Sequence, residues 1–199
     1  MPAGTGTAKA EKVDDYTFDA ASWTLIAHEA RPGHELQFDS MVEQGVSLAR
    51  SRYAFNSTNV EGWGLYAEYI TKPYMPLEGQ LISMQFRLLR AARAYLDPEL
   101  QAGKVTPEEA MNVLTKECVY SVPFANQEVE RYTLRAPGQA NSYFYGYTKL
   151  RQLRKDVEAA LGKKFDQKKY HDFLLAQGML LPEELRQAVM EDFASEKKK

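Results

Sequence analysis

Cysteine is nearly absent from these 199 residues: Cys118 is the only one. That excludes an internal disulfide framework and any zinc module built on several cysteines. Neither sign of charge dominates. Lys plus Arg total 25 against 27 for Asp plus Glu, and a net charge of -2 gives no support to a nucleic-acid partner. No apolar run approaches the roughly 20 residues of a transmembrane helix. The opening MPAGTGTAKAEKV lacks the apolar centre of a signal peptide. What remains is 44% hydrophobic and 26% charged, a composition that excludes wholesale disorder.

The apolar residues recur at helical spacing, and the class is mainly α. Residues 1–15 read as a flexible lead-in, 16–193 as one helical domain and 194–199 as a Lys-rich tail. Trp23, Leu25 and Ile26 run into His28, and Pro32-Gly33 interrupts the pattern. A second stretch carries Leu36, Phe38, Met41 and Val42 and is closed by Gly45. Residues 46–58 read as a connector. Asn59 is the expected N-cap of a helix with Trp63, Leu65, Tyr66, Tyr69 and Ile70, ended by Lys72-Pro73. A long helix from about Leu77 to Tyr95 is expected to turn Leu81, Ile82, Phe86, Leu88 and Leu89 inward. Thr106, Pro107 and Glu109 form a capping box for a helix to about Cys118. Further helices are predicted over 123–134, 139–161, 166–177 and from Pro182, with no strand and no repeat.

Histidine is scarce too, and two of the three lie in His28-Glu29-Ala30-Arg31-Pro32-Gly33-His34. This is the zinc-protease pattern H-E-x-x-H with two residues inserted. In the parent pattern both imidazoles bind metal and the glutamate activates a water. Six positions on a regular helix turn through about 600°, so these rings would not converge. Pro32 and Gly33 allow a local bulge or kink that could swing His34 back toward His28. The competing reading is two unrelated histidines beside a helix break.

Two histidines need a third ligand, and NVEGWGLYAE offers one. Glu61 and Glu68 are seven apart and share a helical face, so one could bind metal while the other orients a ligand histidine. Both could equally be surface charges. Gly62 and Gly64 weaken that helix and suit close approach of another backbone.

HEARPGHELQ followed by NVEGWGLYAEY resembles a bacterial family known as domain of unknown function 885. Its members look like gluzincin-type zinc peptidases with H-E-x-x-P-G-H and E-G-W-x-x-Y-x-E. A third block is similar as well: Arg131-Tyr132, Pro137-Gly138-Gln139-Ala140, Ser142-Tyr143 and Gly146. The resemblance implies His28, His34 and Glu61 as ligands of one zinc ion, Glu29 as the base and Glu68 behind a ligand histidine. It implies a helical, gluzincin-like catalytic region that forms the C-terminal part of a larger fold. The N-terminal region of the longer relatives would then supply much of the cleft wall. Export signals, common in relatives, would lie there too.

An oxyanion donor is also needed, and Tyr143, Tyr145 and Tyr147 are the candidates. Membership of the third block favours Tyr143, with Arg131, Tyr132 and Gln139 placed near substrate. Arg131 and Arg135 could receive a substrate carboxylate or pair with Glu128 and Glu130. His171, among Lys168, Lys169 and Asp172, reads as a surface residue. The expectation is a zinc metallopeptidase acting on peptides, weak on its own and prone to self-association where the larger fold would cover it. The alternative is a helical metal-binding or interaction module without catalysis.

Overall fold

A computed structural model describes residues 15–43 and 46–196, and these form helices and helical turns with no strand. Helix α1 spans Asp19–Glu29 and α2 spans His34–Glu43. Helix α3, Leu48–Tyr53, lies within the expected connector and is capped by Ser47, whose hydroxyl accepts from the Arg50 N–H at 3.3 Å. Helix α4, Ser57–Thr71, starts earlier than expected. Its N-cap is Asn56, whose side chain accepts from the Asn59 N–H at 2.9 Å. Asn59 is buried inside the helix instead. Its amide donates to the Leu180 carbonyl at 2.8 Å and accepts from Gln37 at 3.0 Å, a tertiary use that local sequence does not reveal.

Helix α5 runs from Leu77 to Gln101. Leu81 and Leu88, expected inside, are 61% and 48% exposed. They are seven apart and share a face with Leu77 and Met84, whereas Phe86 and Leu89 occupy another face and are buried. The helix is therefore apolar on two faces, and only one meets this domain.

Helix α6, Pro107–Asn112, has the expected Thr106–Glu109 capping box. A π-helical turn at Val113–Glu117 follows it. Helix α7, Val122–Glu130, is capped by Ser121 and continues into a second π-helical turn at Arg131–Arg135. Helices α8, Ser142–Leu161, α9, Gln167–Ala176, and α10, Pro182–Ala188, complete the domain. A last turn, Ala194–Glu196, still belongs to it, because Ala194 is buried. Gly45, nearly all of the lead-in and the final lysines lie outside the described residues. Asp15, at the end of the lead-in, accepts from the Ser121 N–H and hydroxyl at 2.9 and 2.7 Å. None of the described helices is long and apolar enough to cross a membrane.

The buried apolar residues form two main cores. Trp63, Leu65 and Tyr66 of α4 join α8, α9 and α10 in one. Ala21 of α1 joins Phe86, Leu89 and Leu96 of α5 and the α6–α7 region in the other. Helices α4 and α8 touch backbone to backbone: a Cβ on Gly62 would lie 2.7 Å from the Gly146 Cα. A Cβ on Gly146 would overlap the Thr58 carbonyl oxygen. The expected use of Gly62 for close approach holds.

His171 is not a surface residue. It is half-buried against Trp63, with ring centroids 5.8 Å apart, and its Nε2 lies 2.8 Å from the Tyr66 hydroxyl. Arg154 donates to the same hydroxyl at 3.0 Å, so the tyrosine proton is directed to His171 and the imidazole accepts it in neutral form. Burial and then Arg154 lower the His171 pKa to about 4.

Gly146→Ala is expected to cost about 2–3 kcal/mol through backbone overlap, lowering the melting temperature by roughly 5–10 °C in a chain of this size. An unchanged melting temperature would show that the α4–α8 crossing can open. His171 titrates lower folded than unfolded, so the unfolded chain binds more protons below about pH 6.5. Its contribution is complete above that pH and is lost as pH falls toward 4. Melting temperature should therefore fall more steeply over that window in the unaltered protein than in His171→Gln, and parallel profiles would contradict this assignment.

Candidate metal centre

The helical pattern breaks between Glu29 and His34 rather than bulging. Gly33 sits so close that a Cβ would overlap the His28 carbonyl, so only glycine fits there. The Trp63 indole N–H donates to the Pro32 and Gly33 carbonyls at 3.0 and 3.2 Å and ties the turn to α4. The two imidazoles, which a regular helix would separate, meet edge to face with centroids 4.7 Å apart.

Helix α4 supplies the rest. The Glu61 carboxylate lies 3.4 Å from His28 Nε2 and 3.7 Å from His34 Nε2. One donor atom from each of the three residues falls within 4.8 Å of the others. Zinc bonds of about 2.0–2.1 Å in a tetrahedron place neighbouring donors about 3.3 Å apart, so this spacing fits that ion. Seven residues on, the fully buried Glu68 meets His28 Nδ1 at 2.8 Å. With Nδ1–H donated to that carboxylate, Nε2 faces Glu61 and is the ring atom left to take a proton or a metal ion. His34 Nδ1 is buried and lacks a hydrogen-bond partner among the described residues. Gly64 leaves room for the ring itself: a Cβ there would stand 2.5–2.8 Å from three His28 ring atoms.

Burial penalises the Glu61 carboxylate, but hydrogen bonds from His28, His34 and Tyr143 outweigh it and hold its pKa well below the usual range. Burial favours neutral His28, while its bonds to Glu61 and Glu68 pull its pKa upward on balance. A proton and a metal ion would thus compete for the same nitrogen.

The other sequence candidates divide. Glu29 is exposed at the end of α1, directly after His28. Tyr143 opens α8, stacks on His28 at 6.3 Å between centroids, and its hydroxyl helps to keep the Glu61 carboxylate ionised. Tyr145 is half exposed and points away to Lys149, and the buried Tyr147 accepts from Arg151. Arg131 donates to the Tyr143 hydroxyl at 3.2 Å and to the side-chain amide oxygen of Gln139. Tyr132 does not fit a substrate-binding role: it is fully buried and its hydroxyl donates to Glu128 at 2.7 Å. Arg135 is exposed and paired with Glu130.

Sequence reasoning missed the layer beneath. Arg93 makes a forked pair with Glu128 at 2.5 and 2.8 Å, and Arg90 approaches Glu68 at 3.7 Å. Asp97 accepts from the Gly138 and Ala140 N–H groups at 2.7 and 2.8 Å, which fixes the turn before Tyr143. The available signal was three charges at 90, 93 and 97, spaced to share the buried face of an amphipathic helix.

Residues 4–189 match the model of a family described as bacterial protein of unknown function, DUF885. Among solved structures, a putative lipoprotein of unknown function from Shewanella oneidensis is similar at 29% identity and a TM-score of 0.77, over 84% of this chain and 31% of that one. A putative lipoprotein from Colwellia psychrerythraea is similar at 30% identity and a TM-score of 0.79, over 87% of this chain and 30% of that one. This chain thus spans about a third of the length of those relatives. None of the curated proteins matches it. With a family match across nearly its whole length, the chain belongs to the DUF885 family of bacterial proteins.

Proposed function

We propose that this chain carries the metal site of a zinc-dependent peptidase. The observation behind the proposal is the convergence of His28, His34 and Glu61, with Glu68 holding the far side of the first imidazole. Zinc bound by those three residues would supply a Lewis acid for the substrate carbonyl and lower the pKa of a water molecule. The Glu29 carboxylate, exposed beside His28, takes a proton from the attacking water and returns it to the leaving amine. The Tyr143 hydroxyl, carried by a ring stacked on His28, turns its proton toward the oxygen that becomes negative. Glu68 keeps the His28 ring in one tautomer throughout.

A second reading, a metal-binding or interaction module without catalysis, is favoured by one observation. The solved relatives are about three times longer, so cleft walls used by a whole enzyme could come from elsewhere.

Protein purified without chelators should contain about one zinc ion per chain by elemental analysis, and His28→Ala or His34→Ala should lose it. Glu29→Gln should keep zinc while peptide hydrolysis falls by at least about 100-fold. Loss of zinc in Glu29→Gln would overturn the role given to that residue, and zinc without turnover in the unaltered protein would favour the second reading. Glu68→Gln is expected to weaken zinc affinity by about 10–100-fold in a competition titration. Unchanged affinity would remove Glu68 from the site.

A further inference from the structure

We infer that Arg131 receives the free carboxylate of a peptide's last residue, so that cleavage removes one amino acid at a time from the C-terminus. The inference rests on the hydrolytic reading above.

The first support is a guanidinium that shares its only paired carboxylate among the described residues with another arginine. Arg131 approaches Glu128 at 3.5 Å, but that carboxylate already holds the fork of Arg93 and the hydroxyl of Tyr132. Its remaining bonds go to neutral groups, the Tyr143 hydroxyl and the Gln139 amide. Arg90, Arg93 and Arg131 all lie within 5.2–6.0 Å of the Tyr143 ring centre. Among the described residues, Glu68 and Glu128 are the carboxylates that pair directly with these guanidinium groups, and Glu128 is shared between Arg93 and Arg131. Arg90 Nε is buried without a hydrogen-bond partner among the described residues. Of the three, only Arg131 is within reach of solvent, with 23% of its side chain exposed against 8% and 7%. Arg131 is therefore the guanidinium of the three that an incoming carboxylate can reach, and its planar fork suits one.

The second support is distance. The Tyr143 hydroxyl accepts from Arg131 at 3.2 Å and its ring stacks on His28 at 6.3 Å between centroids, so a single tyrosine side chain separates the guanidinium from the metal site. One residue extends about 3.3–3.6 Å and two extend about 7 Å. A scissile carbonyl beside Glu61 and a terminal carboxylate on Arg131 leave room for a single residue between them. In the reaction, water adds its oxygen to the carbonyl carbon and the C–N bond breaks. The proton held by Glu29 goes to the amine. The products are a peptide one residue shorter, ending in a carboxylate, and a free amino acid.

The test compares an N-acetylated tripeptide acid with its C-terminal amide, titrated calorimetrically into the zinc-loaded 199-residue chain. The acid should bind about 10- to 100-fold more tightly. Arg131→Gln should erase that preference, and Arg135→Gln should keep it. Equal binding of acid and amide, or no binding of either, overturns the inference, and this comparison needs no variant that must fold. A preference that survives Arg131→Gln overturns the residue assignment, and equal loss for both peptides would make Arg131 a support for Tyr143 instead. Zinc content and turnover on the same sample separate the two readings. Preference without turnover keeps the receptor and sinks hydrolysis, whereas equal turnover of acid and amide keeps hydrolysis and sinks the receptor.

Discussion

Helix α4 must touch two neighbours closely at once, and the rest of the site follows from that constraint. Gly62 and Gly64 are two positions apart, hence on nearly opposite sides of the helix. Without side chains there, one side meets the α8 backbone at Gly146 and the other accommodates the His28 ring. Each glycine costs the helix about 1 kcal/mol relative to alanine. The return is position. Glu61 and Glu68, one heptad apart, then face the same imidazole from its two nitrogens.

Beneath the donors lies a buried ionic layer that joins the site to the second core. Arg93, Glu128 and Tyr132 are enclosed and mutually bonded, and Arg90 bridges toward Glu68. Such pairs add little net stability, because desolvation offsets their attraction. They do fix direction: a forked arginine–carboxylate pair tolerates few alternative geometries. Asp97 does the same for the backbone that delivers Tyr143. The aromatic ring in the site is thus held from below by charge and from the side by its stack on His28.

Much of this was legible in the sequence because the informative residues act locally. Helix content, the Thr106–Glu109 box and the break at Pro32-Gly33 depend on neighbours a few positions away. The two histidines and the pair Glu61 and Glu68 were readable from residue type and spacing, while the choice of Glu61 as the third ligand came from the family resemblance. Local rules failed where a distant partner decides. Asn56 and Asn59 are equally good caps, and only the contacts of Asn59 with Gln37 and Leu180 choose between them. Leu81 and Leu88 look like core residues to any periodicity argument, because a helix with two apolar faces gives no sign of which is covered. His171 sits among charged residues in sequence yet bonds Tyr66, 105 positions away.

The indole of Trp63 gives the molecule an intrinsic optical signal. The chain has two tryptophans. Trp23 is half exposed, whereas Trp63 is buried and bonded by its N–H to the turn that sets the spacing of His28 and His34. A solvated indole emits further to the red than an enclosed one, so the two residues report from different parts of the spectrum. Any opening of the Pro32–Gly33 turn frees the Trp63 N–H to water and changes the bluer component alone. The geometry of the histidine pair can therefore be followed in solution by light, without a label.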